Sequence, residues 1–325
     1  MNRSAVAATS AAALLLALTG CGSTDAASND DGKISVVTSF YPLEYAAEQV
    51  GGEHVSVTNL TPPGAEPHDL ELTPKQVLKA TRADQLVYLV GFQPSVDDAA
   101  GQAEDAVFDV TEAARVDIAA DGDAHSHEGE SAEEHAEHAE ESPAEGDGHD
   151  HGAQDPHFWL DPTRYGDVAE AIAERLATED PENADDYRAN AEAFVAKLTE
   201  LDKDLKTQLA SCEQKDLVTG HAAFAYFADR YGFTQVPVSG LTPDHEPSAA
   251  TMADLIAHIK EANISTVYAE TLVPRDLAET IARDAGAKVA VLDPIEGVTD
   301  ESAGSDYFEI MRSNGKTVAA GQACG

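Results

Sequence analysis

The sequence predicts an α/β protein of two lobes, each a parallel four-stranded sheet flanked by helices, joined by one long rigid helix. Three observations carry this. Short runs rich in β-branched residues alternate with amphipathic stretches in both halves of the 325-residue chain, the rhythm of βα units. Gln85–Gly91 (QLVYLVG) is almost continuously apolar, as in strands covered on both faces of a parallel sheet. Mid-chain, Tyr187, Ala191, Phe194, Leu198, Leu201, Leu205 and Leu209 recur at steps of three or four with no breaker before Cys212, which marks one stripe of an uninterrupted helix. A single large doubly wound sheet is the alternative, and that helix weighs against it.

Residues 1–20 read as a targeting segment and stand outside the fold. Arg3 is followed by the apolar run Ala5–Leu18, too short for a membrane-spanning helix, and then by Leu18-Thr19-Gly20-Cys21. That ending resembles a bacterial lipobox, which implies cleavage before Cys21, lipidation of its sulfur and anchoring to the cell membrane on the extracytoplasmic side. Residues 21–33 follow as a flexible tether rich in small and polar residues.

The first lobe is expected over 34–179. Ile34–Phe40, Val55–Leu60 and Gln85–Gly91 read as strands, with helices over Pro42–Val50 and Pro74–Thr81, each with proline at a plausible first helical position. After an insertion at 121–152 come His157–Leu160 and a helix over Thr163–Ala177. Asp180-Pro181 signals the N-cap and first position of the linking helix, assigned to 180–212. At 1.5 Å per residue it would reach about 40 Å, enough to run along both lobes. The second lobe, 213–325, repeats the rhythm. Leu217–Thr219, Thr234–Val238, Thr266–Ala269 and Lys288–Leu292 read as strands, and Ala222–Tyr231, Ser248–Ala262, Asp276–Ala285 and Asp306–Gly315 as helices.

The mature chain of about 300 residues suits two domains. A formal charge of −40 argues against nucleic acid as a partner and favours cationic ligands only diffusely. There are three cysteines. With Cys21 lipidated, Cys212 and Cys324 remain as an even pair in a disulfide-permissive setting. A bridge between them would be worth roughly 4–5 kcal/mol in the chain-entropy model. A cysteine metal site is disfavoured, because neither has a partner at CxxC spacing.

Asp121–His151 is the most unusual stretch. It holds six of the chain's twelve histidines (His125, His127, His135, His138, His149 and His151), twelve acidic residues and no Lys or Arg. It cannot bury enough apolar surface to fold by itself. Imidazoles and carboxylates on such a tether form a ligand pool for borderline divalent cations, zinc above all. The plainer reading is a solvated acidic linker. Three further histidines sit where a strand or apolar run meets a turn. They are His68 in Pro62-Pro63-Gly64-Ala65-Glu66-Pro67-His68-Asp69, His157 in Asp155-Pro156-His157-Phe158-Trp159-Leu160-Asp161-Pro162, and His221 in Thr219-Gly220-His221. Residues at the carboxyl ends of parallel strands converge on the crevice where α/β proteins bind ligands. Asp293, directly after Lys288–Leu292, is a fourth candidate.

In this order the motifs resemble the zinc-specific solute-binding lipoproteins of metal ABC importers, the ZnuA-like periplasmic-binding-protein family with a rigid backbone helix. The resemblance extends over Pro243-Asp244-His245-Glu246-Pro247-Ser248, Ala269-Glu270, Met311-Arg312, Asn314 and the late cysteine. It implies two βα lobes with Zn2+ bound between them and delivered, as cargo, to a membrane permease and its ATPase. It implies no catalysis, and the chain is expected to act as a monomer. Matched residue by residue, His68, His157 and His221 are the implied metal-binding histidines. Manganese-selective relatives usually carry glutamate at the third position, and three neutral imidazoles suit Zn2+ where Mn2+ prefers oxygen. Asp293 is the choice for fourth ligand, with Glu66 its rival. Glu270 reads as an imidazole-orienting partner or as a salt-bridge residue. His245 and His258 read as surface residues, Asp69 and Asp161 as turn or capping residues. The competing functions are a membrane-anchored zinc-dependent hydrolase, for which no HExxH or Gly-x-Ser-x-Gly motif is present, and a manganese-binding or adhesin-type relative.

Overall fold

The computed structural model describes residues 32–103, 106–119, 154–243 and 247–325. Cys21, the six histidines of Asp121–His151 and His245 lie outside the described residues. Two parallel four-stranded sheets organise the chain. The first pairs β1 (Ile34–Thr38) with β2 (Val55–Asn59) on one side and β3 (Gln85–Tyr88) on the other, with β4 (Val107–Asp109) outermost. The second repeats that order with β5 (Asp216–Thr219), β6 (Thr234–Pro237), β7 (Thr266–Glu270) and β8 (Lys288–Leu292), in the sequence β6-β5-β7-β8. Each sheet reverses direction of growth at its first strand. The crevice beyond the strands' carboxyl ends at that point is where this topology places ligands.

The helices are α1 (Tyr41–Gly51), α2 (Pro74–Ala80), α3 (Pro94–Ala100), α4 (Thr111–Ala114), α5 (Pro162–Glu179), α6 (Ala184–Leu209), α7 (Ala225–Tyr231), α8 (Ala249–Glu261), α9 (Asp276–Ala285) and α10 (Tyr307–Gly321). Their starts follow local chemistry. Thr73 and Gln76 form a capping box on α2. Asp161 accepts from Thr163 N at α5, Ser248 from Thr251 N at α8, and Asp306 from Glu309 N at α10.

Three local expectations are corrected. The linking helix α6 starts at Ala184 rather than at Pro181, because Asp180 Oδ2 is taken by Asn183 Nδ2 (2.7 Å) and Tyr187 OH (2.8 Å) in a preceding turn. The helix expected from Ala222 begins at Ala225, since Thr219 Oγ1 bonds the His221 carbonyl and holds a turn there. Helix α10 does not stop at Gly315 but runs to Gly321. A Cβ on Gly315 would lie 2.3 Å from Leu205 Cδ2, so this glycine permits close helix packing and is not a cap. β4 and α4, of three and four residues, are too short to leave a periodic signal, and the sequence reading also omits α3, which opens on Pro94 as α2 opens on Pro74.

One apolar cluster joins both sheets. It runs from Val36 and Val87 through Trp159, Tyr165, Phe194 and Leu205 to Leu217, Tyr268 and Leu292. The opposite sheet faces have smaller cores of their own around Leu86 and Val267. The apolar stripe of α6, Tyr187 through Leu209, lies wholly in the shared core. Trp159 crosses between the halves, its Nε1 donating to Pro294 O (2.8 Å) while its carbonyl accepts from Tyr307 OH (2.6 Å). Cys212, just past α6, and Cys324, just past α10, form a disulfide across 112 residues of sequence. A continuous core with buried polar ties makes the halves one rigid unit. No described helix is long and apolar enough to cross a membrane.

Candidate metal centre

Four side chains from widely separated segments meet between the sheets. His68 sits on the irregular segment between β2 and α2, where Gly64 adopts φ +78°. Gln93 Nε2 anchors that segment at Pro67 O (3.1 Å), and Ser95 Oγ anchors it at Leu70 O. His157 immediately precedes a single helical turn, Phe158–Leu160. His221 stands two residues beyond β5. Glu296 lies four residues beyond β8.

Glu296 Oε1 is 3.1 Å from His68 Nε2, 3.0 Å from His157 Nε2 and 3.4 Å from His221 Nε2. One ligand atom from each of the four lies within 4.8 Å of all the others, and all four residues are buried. His221 Nε2 has no hydrogen-bond partner at all. A buried ring nitrogen without a partner, among three other potential ligand atoms, is the arrangement a cation would satisfy. Three imidazole nitrogens and one carboxylate oxygen make a closed four-ligand set suited to Zn2+.

The group is heavily coupled. Burial opposes charging His157, but the carboxylates of Asp155 and Glu296 overcome it and raise the imidazole above its usual 6.5. His221 is likewise opposed by burial and is driven well above 6.5 by Glu270 and Glu296. Burial would raise the Glu296 carboxyl, yet its histidine partners hold it well below 4.5. Without a cation, protons favoured on His157 and His221 balance the charge of the buried Glu296 carboxylate.

The structure brings His68, His157 and His221 together and leaves Asp293 out of the group. Asp293 is buried, but its Oδ1 accepts from Ile295 N (2.8 Å), and Asn314 brackets its backbone at N (3.0 Å) and O (2.7 Å). It therefore shapes the turn after β8, in which Ile295 takes the unusual φ of 60°. That reversal carries Glu296, which the sequence reading missed, into the position assigned to Asp293. The one signal for Glu296 in the sequence is a second carboxylate just past Asp293-Pro294. Glu66 is also outside the group. Its oxygens accept from His68 N (3.1 Å) and Asp69 N (3.2 Å), and it comes no closer than 3.9 Å to His68 Nε2. Glu270 contacts His221, and Asp161 caps α5. His258 is exposed and pairs with Asp216 Oδ2 at 2.9 Å.

Two cavities approach the group from different sides. One of about 630 Å³ reaches His68 past Asp69, Phe92, Gln154 and Leu241. Another of about 460 Å³ reaches Glu296 past Tyr41, Glu44, Thr61 and Pro63. The backbone flanking the Asp121–His151 insertion closes at the edge of the first, where Ala119 and Gln154 form an antiparallel bridge.

The profile of the family described as ZnuA, zinc-uptake complex component A periplasmic, matches residues 36–321. The chain belongs to this family. It is 38% identical over 294 residues to the zinc-binding protein AdcA of Streptococcus pyogenes serotype M3, covering 89% of this chain and 56% of that protein. It thus spans about half the length of the curated relatives it matches first. It is 36% identical to the high-affinity zinc uptake system protein ZnuA of Bacillus subtilis, over 93% of this chain and 92% of that one. The Zn(II)-bound ZnuA-like domain of Streptococcus pneumoniae AdcA superposes with a TM-score of 0.70 at 32% identity, over 90% of this chain and 99% of that domain.

Proposed function

We propose that this chain captures Zn2+ outside the cytoplasm and delivers it to an ABC-type permease and ATPase for import. Cys21 is its lipid anchor, and His68, His157, His221 and Glu296 are the ligands. The observation that carries the reading is the buried cluster of three imidazoles around one carboxylate oxygen. Likeness to proteins named for zinc binding and zinc uptake supports it. Catalytic zinc keeps a position open for water and a base beside it. Here Glu296 fills the fourth position, and the neighbouring carboxylates Asp155 and Glu270 are engaged by histidine Nδ1 atoms. That favours sequestration over hydrolysis.

The chemistry of capture is exchange of protons for a cation. Zn2+ as cargo displaces the imidazole protons, and the anionic Glu296 then faces a metal in place of imidazolium. The histidines of Asp121–His151 would add weaker sites tethered near the cleft, raising the local concentration of ion. Competition titration of the metal-free protein with Zn2+ and Mn2+ tests the reading. One tight Zn2+ site, lost in His221→Ala and much weaker for Mn2+, is expected. Tight Zn2+ binding retained in His221→Ala, a preference for Mn2+, or zinc-dependent hydrolysis of generic esters or peptides would overturn it.

A further inference from the structure

Two carboxylates stand behind the imidazoles, on the side away from Glu296. Asp155 Oδ1 accepts both the backbone N–H of His157 (2.8 Å) and its ring Nδ1–H (2.7 Å). Glu270 repeats the device in the other half, with Oε1 accepting from His221 N (2.8 Å) and Oε2 from the ring Nδ1–H. Asp155 is 1% exposed and Glu270 2%. A carboxylate only accepts, so the Nδ1 it meets carries hydrogen. The other ring nitrogen, Nε2, is the one facing Glu296 in both residues. Because one carboxylate grips both backbone and ring of the same histidine, it restrains the side-chain torsions as well as choosing the nitrogen that faces inward.

The surroundings are built for these grips. A Cβ on Gly220 would lie 2.9 Å from Glu270 Oε1, so the glycine of Thr219-Gly220-His221 is the clearance that admits the carboxylate. Asp155 is held by its own N–H on Ile118 O (2.9 Å), beside the Ala119–Gln154 bridge. His68 differs. Glu66 accepts from its backbone N–H only, and among the described residues no carboxylate meets its Nδ1.

We propose that Asp155 and Glu270 are positioning residues that hold His157 and His221 with Nε2 inward before the ion arrives, leaving His68 as the ligand that adjusts. This deepens the three-histidine site proposed above and rests on it. Outer carboxylate partners of ligating histidines affect metal affinity by roughly 10–100-fold.

The test compares amide with apolar isosteres in the full chain: Asp155→Asn against Asp155→Leu, and Glu270→Gln against Glu270→Met. Zn2+ affinity is read by chelator competition, and the Nδ1–H signals of His157 and His221 by NMR of the zinc-loaded protein. An amide oxygen still accepts from both N–H groups. Asn and Gln are therefore expected to keep the signals and most of the affinity, whereas Leu and Met lose both, affinity by roughly 10–100-fold. Gly220→Ala, whose Cβ would displace the Glu270 carboxylate, is expected to behave like Glu270→Met. Equal affinity for the amide and apolar variants, or an affinity loss with the Nδ1–H signal intact, would overturn the proposal. Should the apolar variants fail to fold, Gly220→Ala retaining parental affinity and signal would do the same. Failure of the underlying site is separable, because tight Zn2+ binding would then survive His157→Ala or His221→Ala.

Discussion

Replacing Glu296 by glutamine removes the central charge of the cluster while keeping its size. In the metal-free protein Glu296 Oε1 bonds His68 and His157 at 3.1 and 3.0 Å, with the carboxylate 1% exposed. Uncoupling a buried charge from its partner costs roughly 3–5 kcal/mol, which is roughly 6–20 °C in Tm for a folded unit of about 250 residues. The effect has a pH signature. The folded-state values of His157 and His221 lie above 6.5, so their stabilisation is complete below 6.5 and is lost as pH rises through the raised values. The lowered Glu296 contributes above 4.5 and is lost as pH falls through its depressed value. Between 4.5 and 6.5 all three contribute fully, and there Glu296→Gln does most harm. In alkali the imidazoles are neutral, Glu296 is an unpaired buried anion, and the gap between parent and variant closes. With Zn2+ the variant loses an anionic ligand, about 3 kcal/mol or roughly a hundredfold in affinity. Thermal melts of metal-free parent and variant across this pH range, with chelator competition for Zn2+, supply the assay. Identical melting at every pH together with unchanged Zn2+ affinity would refute the reasoning.

Three further outcomes are expected. Zn2+ binding releases protons near neutral pH and weakens as pH falls, from above the ordinary imidazole value of 6.5, because His157 and His221 hold their protons so firmly; calorimetry in buffers of different ionisation enthalpy should report this release, and binding without it would contradict the prediction. Deleting Asp121–His151 leaves the tight site intact and removes weaker Zn2+ equivalents, since Ala119 and Gln154 already lie side by side; loss of the tight equivalent in a titration would count against it. Trp159→Ala destabilises the fold by roughly 3–5 kcal/mol, because Trp159 is fully buried and its Nε1 bonds Pro294 O at 2.8 Å; denaturant unfolding showing parental stability would sink that expectation.

How far the sequence could be read depended on the range of the interactions involved. Strands and long helices are encoded in consecutive residues, so β8 and α9 occupy the predicted spans Lys288–Leu292 and Asp276–Ala285. The stripe of α6 follows from the spacing of seven apolar residues that all proved buried. The three histidines were legible because His68 and His221 follow strands into turns, where parallel topology gathers side chains, and His157 opens the apolar run Phe158–Leu160. Gly315 misled, because a glycine that stops a helix and one that lets two helices approach look alike in the chain. Only the neighbouring Leu205 distinguishes them.

Read alone, the chain indicates the two-sheet architecture, the long linking helix, Cys212 and Cys324 as a pair once Cys21 is set aside for lipidation, and the three imidazoles as candidates. Only the folded chain sets Glu296 beside the three imidazoles and Asp155 behind His157, whereas Glu270 was already an orienting candidate in the sequence. Asp293 and Glu296 are three residues apart and chemically alike, and nothing local says which points inward. That choice rests on Asn314 gripping the Asp293 backbone from α10 and on the reversal at Ile295. Glu270 meets His221 across 49 residues, and Glu296 meets His68 across 228. A periodic pattern records which face of an element is buried. The direction of a side chain in a turn is set by whatever the rest of the chain packs against it.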